Sequence, residues 1–210
     1  VAQYGSDPGH AQRGAMNPED FPANDHRDRL LHGLAHCVSA KGYADTTIAD
    51  IVREAGVSRR TFYEQFDGKP SALIALYESA SLRGLRVLRE AIDPARDWQT
   101  QVDQALSAYL SSLAQNPVLL RTLFVEILGL GATGLAARRR VHDQMADFML
   151  DVINAGRGPA RLERPMALAV IGGIHELVLQ AIEQDRTQAL PDLSAAAGRL
   201  LLAVVQARAA

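Results

Sequence analysis

The chain has 210 residues, carries 22 Lys+Arg against 24 Asp+Glu for a net charge of −2, and is 48% hydrophobic. That length suits one domain, or a small domain joined to a larger one, and no uninterrupted apolar run approaches the roughly 18 residues of a membrane span. No basic, apolar opening of secretory type is present, and a single cysteine, Cys37, rules out an intrachain disulfide or a multi-cysteine zinc site. The expectation is a soluble cytoplasmic protein with no cofactor and no bound metal.

Residues 1–24 hold Gly5, Pro8, Gly9, Gly14, Pro18 and Pro22 among polar residues without a sustained period, which predicts a flexible tail. From about Asp25 apolar residues recur at threes and fours, as in Leu30, Leu31, Leu34, Cys37 and Val38, the amphipathic helix signal. Later helices open at Asp97, at Asn116 with Pro117 in the favoured first turn, near Ala132, at Arg164-Pro165 and at Pro191-Asp192. Breaks fall at Asp93-Pro94, Asn116-Pro117, Gly156 to Pro159 and Pro191, with no alternating stretch and no hairpin signal between them. The predicted fold is all-α, with about nine helices.

Residues 45–73, DTTIADIVREAGVSRRTFYEQFDGKPSAL, divide into two short helices around a tight turn. Thr46 or Thr47 caps the first, Ile48, Ile51, Val52 and Ala55 form its apolar face, and Gly56 permits a sharp turn that Val57 plugs. Ser58 caps the second, whose Phe62 and Phe66 face inward. That leaves Arg59, Arg60, Thr61, Tyr63 and Gln65 outward, in the arrangement by which a helix-turn-helix sets its second helix in the major groove. Arg59 and Arg60 suit guanine O6 and N7, Thr61 a thymine methyl or a phosphate, and Tyr63 and Lys69 phosphate. Thr47, beside the free amides of its helix, offers an anion site.

Residues 30–73 resemble the N-terminal DNA-binding domain of the TetR-type transcriptional regulators through Gly42-Tyr43, Thr46-Thr47, Ile51, Ala55-Gly56-Val57-Ser58, Thr61-Phe62-Tyr63, Phe66 and Lys69. Arg60 stands where that family commonly has glycine, and Pro70 where it has an acidic residue. The resemblance implies a homodimer in which three N-terminal helices bind a palindromic operator on double-stranded DNA. It also implies a divergent C-terminal domain that binds an effector and dimerises through its last two long helices. The expected organisation is a tail at 1–24, a DNA-binding domain at 25–70, and an effector-binding and dimerisation domain at 71–210. Residues 25–70 carry seven basic and seven acidic side chains, so DNA binding must rest on local placement of charge.

For a largely apolar small-molecule effector the expected contacts are Trp98, Tyr109, Phe124, Met145, Phe148, Met149 and Met166, with Glu126, His142 and His175 as polar anchors. Small residues Ala169, Gly172 and Gly173, with Leu179, Leu193, Leu200 and Val204, fit a dimer bundle. The competing signal is Gly129-Leu130-Gly131-Ala132-Thr133-Gly134, a G-x-G-x-x-G with Asp151 beyond it, which would suit a dinucleotide enzyme. That chemistry needs a strand before the glycines, whereas the preceding run opens as a helix, so an interhelical connection is expected there. His32 and His36 lie at i and i+4 but lack a third ligand. Arg138, Arg139 and Arg140 read as a solvated or salt-bridged face, Cys37 reads as a core residue, and no catalytic residue stands out. The function expected is a ligand-responsive, sequence-specific repressor.

Overall fold

The structure, a computed structural model, describes residues 26–155 and 162–206; the expected tail at 1–24 and the Gly156 to Pro159 break lie outside the described residues. Among these, every regular element is helical: α1 (His26–Asp45), α2 (Ile48–Ala55), α3 (Arg59–Gln65), α4 (Lys69–Glu90), α5 (Trp98–Ala114), α6 (Pro117–Arg121), α7 (Ile127–Gly129), α8 (Ala132–Asn154), α9 (Arg164–Glu183) and α10 (Ser194–Gln206). A π-helical turn, Thr122–Glu126, runs α6 into α7, and a 3-10 turn, Thr187–Leu193, leads into α10. With 117–129 taken as one helix, the count is the nine expected.

The helix starts follow their caps. Asp97 accepts a hydrogen bond from the Thr100 amide at 3.0 Å, and Asn116 accepts one from the Leu119 amide at 3.0 Å with Pro117 behind it, each satisfying an amide the helix leaves open. The last helix begins later than expected. Fully buried Leu190 pins the 3-10 turn that carries Pro191, so α10 starts only at Ser194.

Leu30, Leu31, Leu34 and Val38 of α1 are buried against Ile51 and Ala55 of α2 and Phe62 of α3, closing a small core. Cys37 is buried with them, as expected. The larger core lies between α4, α5, α8, α9 and α10. The expected division after residue 70 falls in the first turn of α4, a helix that packs on α1 at one end and on α5 and α8 along its length. Two stretches, Arg164–Glu183 and Thr187–Gln206, are by length and composition alone apolar enough to cross a membrane. Here α9 buries Val170, Ile171, Ile174 and Val178 in the bundle against α8 and α10.

Candidate functional site

The helix-turn-helix is built from contacts between near neighbours in sequence. Thr47 accepts from the Asp50 amide at 3.2 Å, while its own amide donates to the Asp50 carboxylate at 3.0 Å, a complete capping box. Gly56 ends α2 at φ 61°, a left-handed position that a side chain would strain. Ser58 Oγ then accepts from the Thr61 amide at 3.0 Å to start α3. Phe62 is fully buried and packs on Phe66, their ring centres 5.6 Å apart, which fixes the roll of α3 on the core.

That roll turns Arg59, Arg60 and Tyr63 outward, Tyr63 being 59% exposed, with Thr61 and Gln65 half-buried beside them. Arg60 pairs with Glu64 one turn on at 3.0 Å, and the Ser58 and Thr61 hydroxyls are bonded to each other at 2.9 Å. Among the described cations of α1–α3, Arg59 alone presents an unengaged guanidinium. Elsewhere in α1–α3 and the first turn of α4, each described Lys or Arg is engaged. Arg27 and Arg29 donate to the carbonyls of Gln65 and Gly56 at the ends of α3 and α2, and Lys41 and Arg53 hold Asp50. The neutral charge count thus hides a division of labour: most cations fasten the domain, and few face outward.

Three of the expected DNA contacts are occupied inside the protein. Thr46 is 1% exposed and its hydroxyl donates to the Gly42 carbonyl at 2.7 Å, so it closes the turn after α1. Lys69 lies over the Tyr43 ring, 4.3 Å from its centre, and its ammonium donates to the carbonyls of Tyr43 and Thr46 at 2.9 and 2.8 Å. It ties α4 to the α1–α2 turn, where phosphate contact was expected. The anion site expected at Thr47 is filled by the Asp50 carboxylate, which also accepts from the Thr47 hydroxyl at 2.6 Å. Hydrogen bonds from Lys41, then Thr47 and Arg53, hold the Asp50 carboxyl well below the usual carboxylate range.

In the second region the helices line an almost wholly apolar, partly open cavity of about 100 Å³. Of the expected contacts, Trp98, Tyr109, Met145, Phe148, Met149 and His175 line it. Phe124 instead lines a smaller neighbouring cavity. His142 stands behind His175, its Nε2 2.9 Å from His175 Nδ1. Burial above all lowers both imidazoles, His142 to about 4 and His175 to about 3, so both are neutral at pH 7.

Met166 is 38% exposed near the start of α9 and lines neither cavity. Glu126 also lines neither; it sits near Tyr43, whose phenol is raised by burial and then by the Glu126 charge. Sequence reasoning missed the α4 wall, Leu85 and Leu88 with Ile92 after it, although their helical spacing signalled an apolar face. It also placed Arg138 on a solvated or salt-bridged face, whereas Arg138 lines the smaller cavity; Arg140 does form such a surface pair, with Glu78 at 2.6 Å.

The glycine-rich segment is a turn between α7 and α8, preceded by helix with no strand among the described residues. A Cβ at Gly134 would stand 1.9 Å from the Ile127 carbonyl oxygen, so that glycine serves close packing of the turn. No group of three or more potential metal ligands occurs among the described residues; His36 pairs with Glu54 at 3.0 Å.

Of the residues expected at a dimer surface, none is fully buried within the chain: Ala169 and Leu200 are exposed, and Gly172, Gly173, Leu179, Leu193 and Val204 are half-buried. Several have roles inside the chain, Leu193 and Val204 packing against the core. Gly173 faces Leu200, 3.0 Å from where a Cβ would stand, and Leu179 lines the smaller cavity. Gly172 faces open space.

Comparison with known proteins agrees with this geometry. Residues 30–76 match the profile of the bacterial regulatory proteins of the tetR family. The HTH-type transcriptional regulator SrpR of Pseudomonas putida is 27% identical over 161 residues, 72% of each chain. The fatty acid degradation regulator FadR of Bacillus halodurans has the same fold, with a TM-score of 0.67 at 18% identity over 85% of this chain and 95% of its own. FadR of Bacillus subtilis, solved with stearoyl-CoA, follows with a TM-score of 0.64 at 19% identity over 84% of this chain and 96% of its own. A helix-turn-helix that matches that family's model, heading a helical bundle of that fold, supports a TetR-type transcriptional regulator.

Proposed function

We propose that this regulator is a homodimeric repressor that holds a palindromic operator through Arg59, Arg60, Thr61, Tyr63 and Gln65 and is released when a largely apolar effector enters the α4–α5–α8–α9 cavity. The observation that carries the reading is the continuity of α4. Lys69 at one end fastens it to the α1–α2 turn, and Leu85 and Leu88 near the other end form a cavity wall. At about 1.5 Å per residue the helix is a rigid rod of roughly 30 Å. The cavity, at about 100 Å³, is well below the roughly 300–1,000 Å³ of common ligand pockets, so an effector must select a conformation with its walls apart. Displaced α4 would carry the helix-turn-helix with it and change the spacing of the two recognition helices relative to successive major grooves.

A second junction supports the same coupling. Asn116, the cap of α6, donates to Ser39 of α1 at 2.7 Å, and the π-helical turn after it carries both Phe124, on the smaller cavity, and Glu126, near Tyr43. The FadR of B. subtilis with stearoyl-CoA bound is a neighbour in fold that holds an apolar-tailed ligand, which favours the same class here. The outer faces of α9 and α10, with Ala169, Gly172 and Leu200 unburied in one chain, supply the dimer surface of this reading. It is a cytoplasmic regulator without catalytic activity.

The test is to fill the cavity from within. Leu88→Trp, placed on the α4 wall, is expected to leave folding intact and to abolish effector release of selected operator DNA, read by fluorescence anisotropy. Release as efficient as in the wild type would exclude the cavity as the effector site.

A further inference from the structure

Beside the apolar cavity lies the smaller one, of about 30 Å³, and Tyr109, Met145 and His175 are walls of both. Their linings differ in kind. The first is apolar nearly throughout, while the second has Tyr77, Ser81 and Arg138 in its wall. Arg138 makes no ion pair or hydrogen bond among the described residues, whereas Arg140, two positions on, is taken up by Glu78. Its charge is nonetheless felt inside, since it lowers the basicity of both His142 and His175 after burial has done so.

His175 is the imidazole between the two cavities. It is 7% exposed, its Nδ1 is bonded to His142, and its Nε2 has no partner. Buried polar atoms without partners are uncommon and call for a reason. In a neutral pair one N–H lies between the rings; when His142 Nε2–H donates, His175 carries its own proton on Nε2 and offers a donor. Tyr77 adds another, because burial pushes its phenol up to about 12 and keeps it protonated. A guanidinium and a phenol, joined in that tautomer by an imidazole N–H, give the smaller cavity strong donors next to an apolar cavity, with no carboxylate in its lining.

We propose that the two cavities together take one small amphipathic carboxylate, its alkyl or aryl part in the apolar cavity and its carboxylate in the smaller one, facing Arg138 and Tyr77 with His175 Nε2–H at the neck. This rests on the apolar cavity being the effector site. It adds the headgroup: a guanidinium recognises a carboxylate by paired, charge-assisted hydrogen bonds that an alcohol cannot form. The apolar cavity is somewhat smaller than the engineered cavity of about 150 Å³ that admits benzene, so even a short chain or one ring enters it only as its walls part.

Trp98 is the single tryptophan of the chain and lines the apolar cavity, so its fluorescence reports occupancy. Titrations of the full chain with octanoate and with octan-1-ol are expected to perturb Trp98 in both cases, octanoate binding about tenfold tighter or more. Arg138→Gln should remove that preference and leave octan-1-ol affinity unchanged, while Arg138→Lys, which keeps the charge, retains most of it. Phenylacetate against 2-phenylethanol gives the same comparison for aryl acids. Equal affinity for acid and alcohol in the wild type, or equal loss of both in Arg138→Gln, would overturn the headgroup site while leaving the cavity reading in place. No response of Trp98 to any of the four compounds would overturn both.

Discussion

The two halves of this regulator are stabilised by different kinds of contact, and the difference decides what each can do. In the N-terminal half the decisive bonds are local: Thr47 with Asp50, Ser58 with Thr61, and Gly56 at the turn, each within three residues. They present a fixed surface, since α3 is rolled into place by Phe62 and has little freedom to reorganise. In the C-terminal half the walls of one cavity come from Leu85 in α4, Trp98 in α5, Met145 in α8, His175 in α9 and Leu201 in α10. Such a site can widen as helices shift, and it is joined to the rigid half chiefly through α4 and α6. A rigid reader and a deformable sensor, linked by one long helix, are what a ligand-controlled DNA-binding protein requires.

If the reader is rigid because of Phe62, its truncation should be the most damaging change. Phe62→Ala is expected to cost about 3–5 kcal/mol in urea unfolding and to abolish DNA binding; a stable protein that still binds would break the account of the reader. The sensor has its own signature in acid. His142 and His175 are held neutral in the folded state, with lowered basicity, whereas in the unfolded chain they take up protons below about pH 6.5. Protons therefore favour the unfolded state as pH falls from about 6.5 toward 4, and stability should drop by roughly 3 kcal/mol for each imidazole across that window. A His142→Phe, His175→Phe double variant should show a flatter profile there; an unchanged slope would assign the loss to other groups.

Arg59→Ala sharpens the comparison from the DNA side. Its exposed, unengaged guanidinium should be worth about 2 kcal/mol and should set base preference at one position, read by binding to operator variants. Arg60→Ala should cost less, because Glu64 already competes for that side chain. Lys69→Met separates a fastener from a DNA contact. It should lower stability by about 1 kcal/mol and weaken binding without changing its salt dependence; a salt slope reduced by about one would restore Lys69 to the phosphates.

The all-α class, the helix starts at Asp97, Asn116 and Arg164, and the inward faces of Phe62 and Phe66 were legible in the sequence because each rests on a periodicity or a cap spanning a few residues. Residue type alone misleads where the partner is distant in sequence. Lys69 resembles a phosphate ligand until the carbonyls of Tyr43 and Thr46, more than twenty residues away, are seen to accept its hydrogen bonds. Thr46 and Thr47 look alike as caps, yet one hydroxyl is turned into the α1–α2 junction and the other is held by Asp50. In the sensor, the aromatic and methionine contacts of the cavity could be chosen by composition. Arg138 could not, since whether an arginine in a run of three meets solvent, an acid or a cavity depends on how α8 is rolled against α4 and α9.

The central claim is that a sequence-specific reader works through very few outward-facing cations. Genomic fragments selected by the purified protein, with an Arg59→Ala, Tyr63→Phe double variant as control, give the operator; its affinity is then followed against salt. With one or two available cations per protomer, a dimer should recover one palindromic sequence that the variant loses. The slope of log K on log salt should be roughly −2 to −4. Enrichment of no sequence, or equal recovery by the double variant, would contradict the claim.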